Sequence, residues 1–145
     1  MRRLGIRMNG LEEPLENLIK NHHNLQTSDV YTVVEIGSAG CTTLRAFHDI
    51  VSENRVKPSI TFGFDIPNCA LDNINDLLVN FSGKPNVIRK EELNPNLRLN
   101  YDEMYLFLLA DPQSFLKDYF PSMIDLCHID SCHCYKHVQA EFLNI

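Results

Sequence analysis

Apolar segments typical of strands alternate along this chain with segments of helical period, and this alternation restricts the fold more than any other feature. Four runs rich in β-branched and aromatic residues predict strands, at residues 31–36, 59–66, 104–110 and 123–130. Apolar residues three and four positions apart predict helices, at residues 11–25, 42–52, 70–81, 111–120 and 135–145.

A leading helix followed four times by strand and helix is typical of an α/β fold with a parallel sheet. We expect a Rossmann-like three-layer sandwich, in which right-handed crossovers give a partial sheet of strand order 3-2-1-4. Ligands of such sheets bind at the carboxyl ends of the strands, here where the first and fourth strands meet. Residues 86–103 are predicted to be mostly a loop. The alternative makes 87–90 the third strand and 101–109 helical.

The 145 residues suit one domain, with an arm and leading helix at 1–30 and the Rossmann-like part at 31–145. A net charge of −6 and the lack of a basic cluster argue against binding to nucleic acid. The longest apolar run, 105–110, is far below the ~20 residues of a membrane span. The amino terminus lacks the apolar core of a secretion signal, and the five cysteines are read as reduced thiols, so we expect a cytoplasmic protein.

Polar residues at the predicted strand ends are the first candidates for a site. Gly37 permits a sharp turn after the first strand, where Glu35 is expected at the mouth of the crevice and Thr42 or Thr43 as a helix cap. A tight strand-to-helix turn without a ligand is the alternative. Asp65 ends the second strand, 28 residues after Gly37, where an acid can accept the hydroxyls of a ribose.

Two of these acids also have a plain structural interpretation. Asp65 can be a solvated acid at a strand end. Asp111 ends the third predicted strand, where it either caps the next helix or faces the base of a nucleoside.

The densest group of reactive side chains lies at 124–137. Strand alternation places His128 and Asp130 on one face of the fourth strand and Cys127 on the other. Asp130 at the strand end can bind a metal ion, and His133 can act as a general base. A structural zinc site is a weaker alternative, with ligands among Cys127, Cys132, His133, Cys134 and His137. Incidental thiols are the simplest interpretation of these cysteines.

Three segments resemble class I S-adenosylmethionine-dependent methyltransferases. V-V-E-I-G-S-A-G-C-T-T-L resembles their first motif, and F-G-F-D-I resembles their second. I-D-L-C-H-I-D-S-C-H-C-Y-K-H-V is similar to the I-D-x-x-x-I-D-G-x-H-x-Y-x-x-V segment of one branch. That branch includes O-methyltransferases of the macrolide-sugar type and cephalosporin-hydroxylase-like proteins.

The resemblance implies S-adenosylmethionine as cofactor, with magnesium as an assisting metal ion. It implies that Gly37, Ser38, Ala39 and Thr42 lie in a loop around the methionine part. Glu35 is the implied acid near the amino group, directly or through water. Asp65 is the implied acid on the ribose, and Asp111 is the implied acid near the adenine.

The resemblance also implies a catalytic role for two residues of the fourth strand and the turn after it. Asp130 is the implied magnesium ligand and His133 the implied base that removes a proton from the acceptor hydroxyl. We therefore expect a methyltransferase that acts on a hydroxyl of a small molecule.

Two other functions stay open. One is a non-catalytic module that binds a nucleoside or S-adenosylmethionine, or a fragment that a partner completes. The branch takes its other metal carboxylates from a next strand that this sequence lacks, so the exposed fourth strand is expected to pair with a second copy or another chain. The other is a zinc-stabilised interaction domain.

Overall fold

The computed structural model describes residues 12–22, 29–38, 41–54, 58–66, 85–94, 96–109, 124–130, 136, 139 and 142–143. The two helices within these ranges are α1 (Glu12–His22) and α2 (Thr42–Asn54). The five strands are β1 (Tyr31–Ile36), β2 (Ser59–Asp65), β3 (Asn86–Arg89), β4 (Met104–Leu108) and β5 (Leu126–Ile129). A 3-10 turn at Lys90–Glu92 follows β3.

All five strands run parallel in one sheet of order β3-β4-β2-β1-β5. The predicted α/β class is therefore confirmed. The predicted order 3-2-1-4 is wrong as it stands, because a fifth strand occupies the edge beside β4. The chain leaves β1 toward β2 on one side and returns to β5 on the other, so the change of direction lies between β1 and β5.

The extra strand β3 lies in the segment predicted to be a loop. It pairs with Tyr105–Leu108 of β4, but its residues are only exposed or half-buried. An edge strand of four residues has no strong apolar pattern, which is why the sequence indicated it only as an alternative. The alternative prediction had a strand at 87–90 right and a helix at 101–109 wrong. Met104–Leu108 is buried at every position and therefore carries no helical period.

Several predicted elements are shorter in the structure or fall outside the described residues. β4 ends at Leu108 rather than at residue 110, and β5 spans Leu126–Ile129 rather than 123–130. The predicted helices at 70–81 and 111–120 lie outside the described residues. Of the predicted helix at 135–145, the described positions 136, 139, 142 and 143 are helical.

Apolar clusters pack against both faces of the sheet, as the alternation of side chains along a strand requires. On one face α1 and α2 pack over Tyr31 and Val33 of β1, with Phe47 and Ile50 of α2 in the contact. The other face is rich in aromatic rings. Its cluster comprises Val34, Ile36, Ile60, Phe62, Phe64, Tyr105, Phe107 and Leu109. The rings of Phe64 and Phe107 stack with centroids 5.3 Å apart.

Two aspartates bind neighbouring strands at the amino-terminal edge of the sheet. The Asp125 N–H donates to the Thr32 carbonyl (2.9 Å), and its carboxylate accepts from the Thr32 N–H (2.7 Å). Asp102 makes the same pair of bonds with Ser59, at 2.5 and 3.1 Å. Each aspartate stands just before a strand and holds it beside the start of its neighbour, which fixes the pairing of β1 with β5 and of β2 with β4.

No helix among the described residues is long and apolar enough to cross a membrane.

Candidate functional site

A tight turn at the carboxyl end of β1 forms the floor of the candidate site. Gly37 has a φ of 90°, a left-handed conformation that favours glycine. The backbone N–H groups of Gly37 and Ser38 both donate to the Phe64 carbonyl, at 2.9 and 3.1 Å. The chain therefore turns over the end of β2 before it enters α2, as expected for a ligand-binding turn of this fold class.

Gly63 in the middle of β2 allows this turn to lie close to the sheet. A Cβ atom at Gly63 would be 2.5 Å from Ser38 Oγ and 2.6 Å from Leu44 Cδ2. Ser38 thus occupies the space that a side chain at residue 63 would need. Sequence reasoning missed this role, although a glycine inside the strand pattern F-G-F was a usable signal of close backbone approach.

Cys41 ends the turn in an unfavourable backbone conformation. Its φ is 62°, its N–H donates to the Ser38 carbonyl (2.7 Å), and its carbonyl accepts from the Arg45 N–H (2.9 Å). Burial raises the pKa of the Cys41 thiol to about 12, and the nearby carboxylates of Glu35 and Asp65 add to the shift. The thiol is therefore neutral near pH 7, which argues against a nucleophilic role.

Thr42 and Thr43 are the first two residues of α2, so neither stands at the position before the helix from which a side chain caps it, and the expected cap at Thr42 or Thr43 is wrong. The position before the helix belongs to Cys41.

Glu35 is buried beneath the turn rather than placed at the mouth of the crevice, where the sequence predicted it. It is only 1% exposed, because it is the penultimate residue of β1 and points toward the face that α2 covers. Among the described residues its Oε2 atom has no hydrogen-bond partner, and neither has Ser38 Oγ. Ser38 and Glu35, the register partner of Gly63, thus each contain a buried polar atom with no hydrogen-bond partner among the described residues, which is uncommon in protein interiors.

The other oxygen of Glu35 is held by His128 of β5. His128 Nδ1 lies 3.0 Å from Glu35 Oε1, and the two residues are register partners across the β1–β5 pair. The Phe47 ring meets the imidazole edge-on, with centroids 5.3 Å apart. The hydrogen bond to Glu35 raises the pKa of His128 above its usual value, against the opposing effect of burial.

From the sequence, His128 was predicted to lie on one face of its strand, but no partner was predicted for it. The usable signal was that Glu35 and His128 each precede by one residue the end of a strand beside the change of direction. Parallel register then places them opposite each other. The predicted alternation is confirmed, since Cys127 and Ile129 pack against the aromatic cluster on the other face.

Asp65 and Asp130 lie at the same edge of the sheet as Glu35. Asp65 is the last residue of β2 and is partly exposed, and its Oδ1 accepts from the Ile66 N–H at 2.7 Å. Asp130 follows β5 and is exposed, and its N–H donates to the Ile36 carbonyl at 2.8 Å. The structure thus brings three predicted site residues to the carboxyl ends of three adjacent strands.

Three other predicted site residues, Ala39, Asp111 and His133, lie outside the described residues. Most of the alternative zinc ligands also lie outside the described residues, namely Cys132, His133, Cys134 and His137. Within the described part of the chain, no three potential ligands come together in a group that could hold a metal ion. Magnesium at Asp130 therefore stays a prediction.

Comparisons with known proteins give this chain no relative: no protein-family model, curated protein or solved structure matches it.

Proposed function

We propose that this protein is an S-adenosylmethionine-dependent methyltransferase that acts on a hydroxyl of a small molecule. One observation carries the proposal. A buried glutamate, one oxygen of which has no hydrogen-bond partner among the described residues, lies under a glycine turn, at the point where the order of the parallel strands changes direction. That point is where open α/β sheets bind their ligands.

The chemistry of Glu35 fits the amino group of such a ligand. A buried acceptor without a partner costs about 1–3 kcal/mol, and an ammonium group of a ligand, or a water bridging to it, would remove that cost. Asp65, on the neighbouring strand, presents a partly exposed carboxylate where a ribose would be bound. Gly37 and Ser38 form the turn between these two acids.

When bound, S-adenosylmethionine would supply an electrophilic methyl group to the acceptor oxygen. In the proposal His133 takes the proton of the acceptor hydroxyl, and Asp130 helps to place that hydroxyl, with magnesium as the metal it would hold. We further propose that the helices predicted at 70–81 and 111–120 cover the aromatic face of the sheet, which would complete a Rossmann-like three-layer sandwich.

Ligand binding is the first test, by calorimetry and by thermal unfolding with S-adenosylmethionine and S-adenosylhomocysteine. A ligand at 100 times its Kd stabilises a protein by about 2.7 kcal/mol, which is a readily measured shift in melting temperature. Asp65→Ala should abolish binding without unfolding the domain. Asp29→Ala is the matched control, since Asp29 is an exposed acid just before β1, at the opposite edge of the sheet. Absence of any shift at millimolar concentration of either compound would rule the proposal out.

A non-catalytic binding module is the second candidate, because Glu35, Asp65 and the turn at Gly37, which the proposal assigns to ligand binding, lie together at one edge of the sheet. Transfer of a labelled methyl group to a panel of small hydroxylated acceptors separates the two functions. His133→Ala should keep ligand affinity and remove transfer. Turnover by this variant would assign the base elsewhere. Ligand binding by the wild-type protein without transfer to any acceptor would favour the binding module.

A further inference from the structure

We propose that His128 is a positioning residue for ligand binding, which fixes the Glu35 carboxylate so that Oε2 stays directed at the amino group of the ligand. The inference deepens the proposed function and rests on it. It gives a role to a histidine that the motif comparison left without one.

The hydrogen bond has only one chemically sensible direction. A carboxylate oxygen only accepts, so His128 Nδ1 carries the proton and donates to Glu35 Oε1 across 3.0 Å. A glutamate side chain has three rotatable torsions, and the Glu35 carboxyl could otherwise turn either oxygen toward the ligand. The contact with His128 selects one oxygen for the protein and leaves the other for a donor from outside.

The imidazole is itself held in place from two directions. The backbone pairing of Glu35 with His128 sets the distance between their Cα atoms, and Phe47 of α2 contacts the ring edge-on at 5.3 Å. The His128 side chain is 35% exposed, whereas Glu35 is 1% exposed. His128 therefore extends from the outer edge of the sheet to a carboxylate in the interior.

Among the described residues, His128 donates to one oxygen of Glu35 and the other oxygen has no hydrogen-bond partner. Three ionisable groups lie near the pair. Asp130 after β5 acts on His128, and Cys41, just before α2, is affected by the carboxylates of both Glu35 and Asp65. Two are acids, and the Cys41 thiol is neutral near pH 7. Without the donor at residue 128, Glu35 would turn its carboxyl group to find another partner, and the amino group of the ligand would lose its acceptor.

A comparison of two ligands separates this role from a general effect on folding. S-Adenosylhomocysteine carries the amino acid part, whereas 5′-methylthioadenosine has the same nucleoside and thioether but no amino group. His128→Leu should weaken binding of S-adenosylhomocysteine by about ten-fold or more, the loss expected for one hydrogen bond to a charged group. Its Kd for 5′-methylthioadenosine should stay within about two-fold of the wild-type value, because that ligand does not use Glu35.

The conservative variant tests the donor directly. His128→Asn places an amide N–H near the position of Nδ1 and should recover most of the lost affinity, whereas His128→Gln places its donor further out and should not. Glu35→Gln should show the same ligand selectivity as His128→Leu. Leu126→Ala is the matched control, since Leu126 is half-buried on the same face of β5 and packs against the α1–α2 cluster. It should lower stability and leave the ratio of the two Kd values unchanged.

Each outcome decides one question. An equal loss of affinity for both ligands, or no loss, in the Leu and Gln variants at residue 128 would overturn the positioning role and leave the proposed function standing. Should His128→Leu fail to fold, the comparison of His128→Gln with His128→Asn gives the same decision. If the wild-type protein binds neither compound, the proposed function fails and the positioning role fails with it.

Discussion

Among the residues that the structure describes, two with side chains adopt a left-handed backbone, and both lie at turns that matter for the fold. Asp102 has a φ of 63° and makes two hydrogen bonds with Ser59, and these bonds compensate for its unfavourable backbone conformation. Cys41 has a φ of 62° in the turn above Glu35, at a position where the family that the sequence resembles commonly has glycine. Backbone strain of about 1–2 kcal/mol is expected for a residue with a Cβ atom in this region.

The strain at Cys41 predicts an unusual order of stability for two variants. Alanine normally stabilises a regular element more than glycine does, by about 0.5–1 kcal/mol. We expect Cys41→Gly to match or exceed Cys41→Ala in free energy of unfolding, because only glycine adopts this φ without strain. Urea unfolding monitored by circular dichroism gives the comparison. A clear advantage for Cys41→Ala would show that the backbone at residue 41 is not strained.

His48 predicts a pH dependence of stability. Its Nδ1 lies 3.1 Å from Thr61 Oγ1, and burial lowers the pKa of His48 below the ordinary 6.5, although Asp49 opposes the shift. The unfolded chain therefore binds this proton more tightly than the folded protein. The contribution of His48 to stability is complete above about pH 6.5 and is lost as the pH falls through the lower, folded pKa.

The variant His48→Gln isolates that contribution, because the other histidines remain in both proteins. When the pH is lowered from about 7.5 to about 5, we expect the free energy of unfolding of the wild type to fall more than that of His48→Gln. Urea unfolding at each pH measures it. A difference that stays constant over this range would contradict the pKa direction.

At the scale of residues, the sequence predicted the types of side chain in the candidate site better than their environment. Glu35, Asp65 and Asp130 do lie at the carboxyl edge of the sheet. The burial of Glu35 and its bond to His128 were not predicted, because both depend on the register between two strands that the sequence only placed side by side. That information lies in the pairing of segments more than 90 residues apart.

At the scale of elements, the turn between β1 and α2 is shaped by the strand beneath it as much as by its own glycine. Gly37 supplies the left-handed φ, but Gly63 supplies the space in which Ser38 and Leu44 pack. Buried strands such as Met104–Leu108 were predictable from their apolar runs. The edge strand Asn86–Arg89 was predicted only as an alternative, since its exposed and half-buried residues leave little pattern.

Gly63→Ala should therefore displace the turn between β1 and α2, because the new methyl group on the sheet would press against it. Its methyl group would lie within 2.6 Å of both Ser38 Oγ and Leu44 Cδ2, and overpacking of this kind costs about 1–3 kcal/mol. Adding Ser38→Gly removes one of the two clashing side chains, so the double variant should be more stable than the sum of the single effects predicts. Urea unfolding of the three variants measures the coupling. Additive effects would mean that Ser38 does not occupy the space at residue 63.

At the scale of the whole molecule, the two aspartate contacts at the amino-terminal edge set how distant segments align. Asp125, the first acid of the I-D-L-C-H-I-D segment, binds the start of β1, while Asp130, the second acid, lies five residues on at the candidate site. The register of β5 against β1 places His128 opposite Glu35. One short segment thus contains both the residue that aligns the strand and the residues that the alignment brings to the site.

Asp125→Ala should cost about 1–2 kcal/mol in free energy of unfolding, because the Thr32 N–H loses a charged acceptor at 2.7 Å. Asp125→Asn keeps an acceptor oxygen and should lose less. Chemical denaturation and hydrogen exchange at the Thr32 amide check both, with faster exchange expected in the Ala variant. Equal stability of Asp125→Ala and the wild type would show that the backbone ladder alone sets this register.

The position of β1 in the sheet also has a consequence for synthesis. Strand β1 is made well before its neighbour β5, which begins 90 residues after β1 ends. At translation rates of about 5–20 residues per second, one side of β1 waits on the order of 5–20 s for its partner. During that time an apolar strand presents unpaired backbone groups to other nascent chains, so the yield of soluble protein should depend on expression rate and on chaperones that shield this edge.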